Sequence, residues 1–415
     1  MRFYKNFLAA ALTLGLLFSL APSVKLLADN APNIRINTIN AGDGRNGNII
    51  ISADGELYAW GGVTNVRGER AYRSIPRRVM DVYDGMVSLS SGLGTMAIRY
   101  DGSLWRLKWD SDTDRNEWIN ILDDVVYVSV CAYITGFSSR DGGILVRQRW
   151  TTDGRNRQRS QWVPLMEDVA DRNARMYNTA YIIRSDGSLW RYYFLDFRTA
   201  TRPLTRVMGD VSQVATISAS RYDRKTMAVR TDGSLWQWSR TAPRPVQIME
   251  DVKSVSSGLT MVIKTDGSLW AIGDGEPEWI MDDVIAVCDK TQITFMAVRS
   301  NGDLYAWGDN RNGLVGDGTR TNRSNPVRIM ENVVAVSSGY EFIPSICRDR
   351  LHPPDGAQFA LALQADGSLW AWGSNFLGSI GDGTFQDRLR PVHIFDNVML
   401  PPTAAVPDDA PEYEQ

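Results

Sequence analysis

The sequence predicts an all-β fold built from eight repeats of a small antiparallel sheet, because two short markers alternate along the chain. The first marker is an Asp-Gly pair between two apolar runs, and it is clearest in the stretch Asp266-Gly-Ser-Leu-Trp270. An Asp-Gly pair tolerates the positive φ angles that a tight hairpin turn needs. The copies of this hairpin marker begin at Asp54, Asp101, Asp141, Asp186, Asp232, Asp266, Asn301 and Asp366.

The second marker is an acidic turn followed by Val, and one copy comes after each hairpin. Its eight copies are Val79–Val82, Ile121–Val125, Leu165–Val169, Val207–Val211, Ile248–Val252, Ile280–Val284, Ile329–Val333 and Ile394–Val398. The hairpins recur about every 45 residues, which is a period typical of repeat architectures. Two markers that alternate eight times predict eight structural units.

Unit one indicates how the sheets pack. Its runs Ile49–Ile51 and Leu57–Gly61 are continuously apolar and do not alternate with polar residues. Strands of this kind are covered on both faces, as when a sheet lies between two neighbours in a ring. We therefore predict one β-propeller domain over residues 29–400 with eight repeat units, and a ring of seven blades is the alternative. The first strand, near Ile34–Ile39, is expected to close the ring with the last strand, near Pro391–Met399.

The two ends of the sequence have a different composition. Arg2 and Lys5 precede the apolar run Phe7–Ala21, which is the pattern of a secretory signal and is short for a membrane span. We predict a signal peptide over residues 1–28 and hence a secreted or bacterial cell-surface protein; an uncleaved anchor is the alternative. Residues 401–415 are acidic and rich in Pro, so they are predicted to form a disordered tail.

The charge distribution argues against nucleic-acid binding, which needs a basic surface. The formal net charge is −3, and removal of the three cationic residues in 1–28 makes it −6. Residues 140–244 are nevertheless basic, with 19 Lys or Arg against 10 Asp or Glu. Their densest part, here called the basic arm, is either a solvated connection between strands or a docking patch for an acidic partner. The basic arm contains Arg147, Arg149, Arg155, Arg157 and Arg159.

Patterns for catalysis, metal binding or cofactor binding are weak. An Asp before Gly is what the hairpin turn itself requires, so the repeated aspartates are interpreted as turn residues. The chain has two His, at 352 and 393, and three Cys, at 131, 288 and 347. None of them has zinc-ligand spacing or belongs to a nucleophile motif. We predict a non-enzymatic protein that uses no metal and no cofactor.

Units seven and eight carry a longer motif. It reads Leu304-Tyr-Ala-Trp-Gly-Asp-Asn-Arg-Asn-Gly-Leu-Val-Gly-Asp-Gly-Thr319 in unit seven, and its counterpart in unit eight is Leu369–Thr384. These stretches resemble repeats of the regulator-of-chromosome-condensation family, whose signature contains Ala-Trp-Gly-x-Asn and ends in Gly-Asp-Gly-Thr. The strong form covers units seven and eight and part of unit one, whereas units two to six lack the Trp-Gly pair. The resemblance implies a β-propeller that binds other proteins, since some family members act on a small GTPase and a secreted bacterial relative inhibits β-lactamase.

The insertion over residues 340–358, between units seven and eight, is an expected place for partner contacts, because the repeated scaffold does not need it. We predict a monomer that binds a protein or a cell-envelope polymer through its loops. The alternatives are a glycan-binding propeller or degenerate glycosidase, and a structural surface module without a dedicated ligand. The candidate partner-binding residues are the arginines of the basic arm together with Tyr340, Phe342, Arg348, Arg350 and His352 of the insertion.

Overall fold

The protein is described by a computed structural model. The residues that this structure describes are 39–40, 43–44, 48–54, 56–64, 70–78, 86–90, 96–99, 103–110, 115–123, 125–130, 135–139, 144–151, 158–166, 169–171, 179–193, 204–217, 225–239, 241–256, 258, 260–273, 275–289, 293–341 and 357–400. Within these ranges the regular elements are all β-strands. The predicted signal peptide, 1–28, and the predicted tail, 401–415, lie outside the described residues.

The described strands form eight sheets that follow one another along the chain, numbered here sheet 1 to sheet 8. Sheet 1 consists of β1 (Ile39–Asn40), β3 (Asn48–Ile51), β4 (Leu57–Thr64) and β5 (Arg70–Arg78), and sheet 2 consists of β6 (Met86–Ser90), β7 (Met96–Arg99), β8 (Leu104–Asp110) and β9 (Arg115–Leu122). Sheet 3 consists of β10 (Val125–Val130), β11 (Thr135–Ser139), β12 (Ile144–Thr151) and β13 (Gln158–Met166), and sheet 4 consists of β14 (Val169–Asp171), β15 (Thr179–Arg184), β16 (Leu189–Tyr193) and β17 (Thr205–Met208).

Sheet 5 consists of β18 (Val211–Ile217), β19 (Lys225–Arg230), β20 (Leu235–Ser239) and β21 (Val246–Met249), and sheet 6 consists of β22 (Val252–Val255), β23 (Met261–Lys264), β24 (Leu269–Ala271) and β25 (Glu278–Met281). Sheet 7 consists of β26 (Val284–Cys288), β27 (Thr294–Arg299), β28 (Leu304–Gly308) and β29 (Arg323–Met330), and sheet 8 consists of β2 (Asp43–Gly44), β30 (Val333–Glu341), β31 (Ala357–Gln364), β32 (Leu369–Gly373) and β33 (Arg388–Phe395). Consecutive strands pair antiparallel in each sheet, and β2 alone among the described strands pairs in parallel, with β30.

The two sequence markers lie at the same end of the sheets. The Asp-Gly turn joins the second strand of a sheet to the third, as residues 300–303 do between β27 and β28. The acidic turn joins the fourth strand of a sheet to the first strand of the next, as residues 282–283 do between β25 and β26. We call this end the turn face. The other end, the loop face, carries the connections from first to second strand and from third to fourth.

Backbone hydrogen bonds join the two markers to each other. In sheet 6, the Val284 amide of the acidic turn donates to the Gly267 carbonyl of the preceding hairpin turn over 2.9 Å. The Asp283 carbonyl then accepts from the Ser300 amide of the next hairpin turn over 2.7 Å. Each acidic turn therefore links the turns of two successive sheets, an arrangement that we call the turn relay. The same pair of bonds occurs around Asp210, Asp251, Asn332 and Asn397.

The turn relay explains why an acid or amide residue stands before Val. Asp283 has a φ of 62°, and its counterparts in the other described relays have φ values between 57° and 60°. Asp and Asn occupy this left-handed region more readily than other residues with a side chain. The sequence indicated positive φ at the Asp-Gly turns, which is confirmed for Gly267 at 83°, but it did not indicate positive φ at the acidic turns.

The turn relay also joins the last sheet to the first. The Ala53 amide donates to the Asn397 carbonyl over 2.7 Å, and the Met399 amide donates to the Ile51 carbonyl over 2.9 Å. Ser52 and Val398 form an antiparallel bridge. Residues 397–399 thus stand in the same relation to sheet 1 as each acidic turn does to the sheet that follows it.

Both ends of the described chain share the innermost strand position of sheet 1. Val398 and Met399 lie opposite the end of β3, and β1 continues along β3 with Ile39 opposite Ile50. The sequence predicted that the segment near Pro391–Met399 would close the ring with the segment near Ile34–Ile39. The closing contacts in the structure instead join 397–399 to 51–53, because the two segments lie end to end on β3 and not side by side; residues 34–38 lie outside the described residues.

Apolar side chains fill the spaces between neighbouring sheets. Between sheets 8 and 1, Ile50 and Trp60 pack with Leu361 and Leu363, and all four side chains are fully buried. Similar clusters lie between sheets 4 and 5, 5 and 6, 6 and 7, and 7 and 8. Ile50 and its neighbour Ile51 are both fully buried although they point to opposite faces of β3. The prediction that the sheets are covered on both faces is confirmed.

The all-β propeller fold is therefore as the sequence predicts: four-stranded antiparallel sheets in sequential order, packed face to face and joined first to last. The number of blades in the ring, eight or seven, stays a prediction from the repeats.

A substitution at Gly302 tests the turn relay. Gly302 has a φ of 84°, and a Cβ there would lie 3.1 Å from the Asn332 Cα. We expect Gly302→Ala to lower the free energy of unfolding by about 1–3 kcal/mol, the range for a residue held in an unfavourable backbone region. The matched control is Gly273→Ala, where the added Cβ meets no atom within 4 Å. Equal denaturation midpoints for the two variants would contradict the relay.

Two truncations test the closing contacts. A chain that ends after Asp396 loses the burial of Val398 and Met399, which are 2% and 5% exposed. At about 1.5–3 kcal/mol for each large apolar side chain, the expected loss of stability is roughly 3–6 kcal/mol. A chain that ends after Leu400 keeps these contacts and should melt much closer to the full chain. If both truncated chains melt alike, residues 397–399 do not close the ring.

Candidate functional site on the loop face

The topology places both predicted partner-binding segments on the loop face. The insertion connects the first strand of sheet 8, β30, to the second, β31. The tip of the basic arm, residues 152–157, connects the third strand of sheet 3, β12, to the fourth, β13. Connections of these two kinds lie at the end of the sheets opposite the turn markers. The sequence did not indicate that the two segments lie on one face.

The predicted site residues are described only in part. Tyr340 lies in β30, where its backbone is paired with Asp43 of β2 on one side and Gln358 of β31 on the other. Phe342, Arg348, Arg350 and His352 lie outside the described residues, as do Arg155 and Arg157.

The remaining arginines of the basic arm lie in a long antiparallel ladder. Arg147 and Arg149 belong to β12, opposite Trp162 and Ser160, and Arg159 belongs to β13 opposite Trp150. The two strands have eight and nine residues, whereas the corresponding strands of sheet 6 have three and four. The basic arm is therefore built on strands longer than a sheet of this type requires.

The family-like motif of unit seven folds into a loop around the amide of Asn310, which is fully buried. Its Nδ2 donates to the Thr319 carbonyl over 3.0 Å and to the Thr321 carbonyl over 3.1 Å. Its Oδ1 accepts from the Val315 amide over 2.9 Å. One side chain thus satisfies three backbone groups of a loop that has no strand partner, which explains why the motif requires Asn at this position.

The motif of unit eight is built in the same way around Asn375. Its Nδ2 donates to the Thr384 and Gln386 carbonyls over 3.0 and 3.1 Å, and its Oδ1 accepts from the Ile380 amide over 2.9 Å. We call the two structures, residues 309–322 and 374–387, the signature loops. Because their internal hydrogen bonds match, residues outside this frame can differ without altering the loop.

Each signature loop receives a Trp from the next sheet. Trp372 Nε1 donates to the Leu314 carbonyl over 2.8 Å, and Trp60 Nε1 donates to the Ser379 carbonyl over 2.9 Å. A Cβ on Gly316 or on Gly381 would lie within 2.8 Å of these indole nitrogens, so each loop needs Gly there. This contact explains why Trp is retained at this position in units eight and one, which follow the two loops around the ring.

An ion pair fixes the end of each signature loop. Asp317 contacts Arg323 at 2.5 Å, and Asp382 contacts Arg388 at 2.5 Å. Burial raises the pKa of each carboxyl, but hydrogen bonds from the following Thr and the attraction of the Arg outweigh it. The pKa values of both groups therefore lie below their usual range, and both stay ionised at neutral pH.

The two signature loops differ at their exposed positions. Arg311 and Arg320 of the first loop correspond to Phe376 and Phe385 of the second, by their spacing from the framing Asn. Phe376 is 39% exposed and Phe385 is 54% exposed. The sequence analysis indicated neither Phe as a candidate site residue. Comparison of the two loops position by position would have found them.

The exposed residues of the loops form one surface across the seam of three sheets. Arg320 contacts Asp387 at 2.7 Å and so joins the two loops. The Gly383 amide of the second loop donates to the Ser74 carbonyl of β5 over 2.7 Å, next to exposed Ile75. We call this surface the rim patch. It consists of Ile75, Arg320, Phe376, Phe385 and Arg390.

The repeated aspartates lie on the turn face, away from this surface. Asp266 Oδ1 accepts from the Ser268 amide and hydroxyl over 2.8 and 2.6 Å, and the Ser268 hydroxyl accepts from Trp270 Nε1 over 2.8 Å. The hydrogen bonds from Ser268 hold the pKa of Asp266 below its usual range. The same chain of bonds begins at Asp186, Asp232 and Asp366. This geometry supports the interpretation of these aspartates as turn residues.

A further carboxylate, Asp289, is fully buried below the loop face. It accepts from the Gly258 amide over 2.7 Å, from the Thr260 hydroxyl over 2.8 Å and from the Ser256 hydroxyl. Asp289 follows the last residue of β26, whereas its donors belong to sheet 6. It therefore ties the connection between β22 and β23 to the next sheet, and no sequence pattern indicated this role.

Two other kinds of feature are absent from the described part of the chain. No group of three or more His, Cys, Asp or Glu side chains there is arranged to hold a metal ion. No helix in the described ranges is long and apolar enough to cross a membrane. Cys288 is a buried free thiol that packs 3.2 Å from the Ser338 hydroxyl.

Comparison with known proteins agrees with this geometry. Residues 301–343, which include the first signature loop, match the model of the regulator of chromosome condensation (RCC1) repeat. The chain is 25% identical over 203 residues to a protein RCC2 homolog of Danio rerio, covering 48% of this chain and 34% of the relative. It is 28% identical over 137 residues to the ultraviolet-B receptor UVR8 of Arabidopsis thaliana, covering 24% of this chain and 31% of the receptor. The matches thus span about a third of these relatives.

Two solved structures share the fold over most of the chain. Prp20p from Saccharomyces cerevisiae superimposes with a TM-score of 0.50 at 11% identity, covering 89% of both chains. Yeast RCC1 (Prp20) in its complex with Kap60 gives a TM-score of 0.50 at 13% identity, covering 89% of this chain and 87% of that one. At this identity the likeness concerns the fold alone.

The sequential four-stranded sheets and their first-to-last junction define a β-propeller. The signature loops, the match at residues 301–343 and the yeast structures together support the RCC1-repeat propeller family, as the sequence resemblance predicted.

The lowered pKa of Asp266 predicts a pH effect. A group whose pKa is lowered in the folded state stabilises the protein above its unfolded pKa, about 3.9, and loses this contribution as the pH falls through the folded value. Asp266→Asn keeps the turn, since Asn301 fills this position in sheet 7 with its Oδ1 3.0 Å from the Asp303 amide. We expect the urea midpoint of the native protein to fall more steeply below pH 4 than that of the variant. Parallel curves between pH 2 and 7 would contradict the assignment.

Proposed function

We propose that the protein is a non-enzymatic binding propeller that recognises a protein partner through its loop face. The observation that carries the proposal is topological. The insertion, the tip of the basic arm and both signature loops all extend from the same end of the sheets. The opposite end consists of short turns whose backbone groups are engaged in the turn relay. Recognition is therefore assigned to the face whose connections are long and varied.

The exposed chemistry of the loop face suits a protein partner. Phe376 and Phe385 offer apolar area, and Arg320 and Arg390 offer cationic groups beside them. Aromatic residues and Arg contribute most of the binding energy in typical protein interfaces. The carboxylates of the signature loops are engaged in ion pairs, and the turn aspartates bind their own turns. Nothing in these arrangements resembles an acid–base pair poised on a substrate.

The comparisons support the same class of function. Prp20p binds Gsp1p and histones, and in the second yeast structure it is bound to Kap60. This propeller of the same fold therefore binds proteins. For the present chain we propose a different partner, a protein or polymer of the cell envelope, because residues 1–28 carry the pattern of an export signal. We propose that the protein acts as a monomer.

The proposal is tested by affinity capture from an envelope extract with quantitative mass spectrometry. The tagged protein should enrich a defined protein, and a variant with residues 342–356 replaced by a short Gly-Ser linker should lose at least nine-tenths of that enrichment. The triple variant Arg155→Gln, Arg157→Gln and Arg159→Gln reports on the basic arm. Lys253→Gln, an exposed cation at the turn-face end of β22, is the matched control and should bind normally.

The outcomes separate the functional classes. Loss of the same protein from both loop variants but not from the control supports recognition by the loop face. Capture that disappears when the extract is treated with glycosidases would show that the ligand is a glycan. Equal enrichment by all four proteins would contradict a role for the loop face.

A further inference from the structure

The rim patch exposes apolar area at the seam between sheets 8 and 1. Phe385 is 54% exposed and Ile75 is 44% exposed. Ile75 lies beside the second signature loop, since a Cβ on Gly383, two residues before Phe385, would lie 3.6 Å from Ile75 Cγ2. The frame of the signature loop does not use Phe385, because the corresponding residue in the first loop is Arg320. A group of exposed apolar side chains, here Ile75, Phe376 and Phe385, indicates an interaction surface.

The charge around the rim patch is positive. The four carboxylates of the signature loops are paired with arginines in the described residues, namely Asp309 with Arg311, Asp317 with Arg323, Asp382 with Arg388 and Asp387 with Arg320. Arg390, whose guanidinium packs on Gly318, and Arg77, two residues after Ile75, are both exposed. Neither forms an ion pair within the described part of the chain. The patch therefore suits an occupant that combines an apolar side chain with carboxylates.

Residues 401–415 have that composition. The segment contains Asp408, Asp409, Glu412 and Glu414 and no Lys or Arg. It also contains Val406 and Tyr413, which supply apolar area. Its charge is opposite to that of the exposed arginines of the rim patch.

The described chain ends on a sheet that borders the rim patch. Val398 lies opposite Ser52 and Met399 opposite Ile51, and β3 runs from the loop face to the turn face. Because the pairing is antiparallel, residues 398 and 399 run in the direction of the loop face until β1 occupies the strand position opposite Ile50. Met399 therefore lies near the turn-face end of sheet 1, the same sheet that contributes Ile75 to the rim patch.

The distance is within reach. From β1 to β5, sheet 1 spans three strand spacings, which is about 15 Å at ~4.8 Å each, and the four residues of β3 add roughly 13 Å along the strand at ~3.3 Å per residue. The fifteen residues after Leu400 can extend over roughly 50 Å at ~3.3 Å per residue. Length therefore does not prevent the segment from crossing the edge of sheet 1 to Phe385.

We propose that residues 401–415 bind the rim patch of their own chain, with their carboxylates on Arg77 and Arg390 and an apolar side chain against Phe385 and Ile75. The interaction does not depend on the identity of any external partner. If the loop face recognises a protein as proposed above, the segment competes with that protein for the rim patch. A partner that displaces it should then itself present acidic and apolar groups.

The test measures how fast single arginines of the full chain react with phenylglyoxal, read by mass spectrometry. The native chain is compared with a variant carrying Asp408→Asn, Asp409→Asn, Glu412→Gln and Glu414→Gln, all outside the described fold. Reaction at Arg77 and Arg390 should be about threefold or more faster in this variant, a size expected for exposed ion pairs. Arg244, exposed on the loop face of sheet 5, is the internal control and should not change.

Two further comparisons sharpen the result. High salt should abolish the difference between the native chain and the neutral variant, since exposed pairs are screened. Phe385→Ser, at an exposed position, should remove part of the protection without changing the melting temperature.

Equal rates at Arg77 and Arg390 in native and neutral chains would overturn the proposal. Protection that increases with protein concentration would also overturn it, because the rim patch would then be covered by a second copy. These measurements do not require an external partner, so their result is independent of the result of the capture experiment.

Discussion

The structure depends on the turn relay, in which each acidic turn, with its one residue at positive φ, is hydrogen-bonded through its backbone to two successive hairpin turns. Val284 bonds back to Gly267, and Asp283 receives the bond from Ser300. A four-stranded sheet buries little alone, and its stability comes from neighbours on both faces. The relay sets the position of each sheet against the next, and the apolar clusters between sheets depend on that position. Asn397 and Ala53 repeat the relay between the last sheet and the first.

The loop face follows a different principle, because its two described signature loops are each held by the side chain of a buried Asn. Where a signature loop is present, a buried Asn amide satisfies its backbone and a Trp from the next sheet covers it. This frame leaves the outer positions free to vary in chemistry. Arg320 and Phe385 occupy equivalent positions, one cationic and one aromatic, on loops with the same internal bonds. Such a division separates the residues that maintain the fold from those available for recognition.

The sequence predicted the repeat, the hairpin turns and the burial of both sheet faces, because these features are local and recur. The sequence did not predict the positive φ of Asp283, since an acidic residue before Val is equally consistent with an ordinary solvated turn. It placed the closing contact near Ile34–Ile39, because no local pattern shows that the two chain ends share one strand position along β3. Phe385 was missed for a related reason: its exposure depends on how the signature loop lies over sheet 1, which only the assembled ring determines.

Amide hydrogen exchange at Ala53 tests the central claim most directly. The Ala53 amide should be protected as strongly as the corresponding amides of Thr231, Thr265 and Ser300, because each donates to a relay carbonyl at 2.7 to 2.8 Å. Protection at Ala53 requires that residues 397–399 and sheet 1 be joined in solution. If Ala53 exchanges at the rate of an unstructured amide while the other three remain protected, the sheets are present but the ring is not closed by the turn relay.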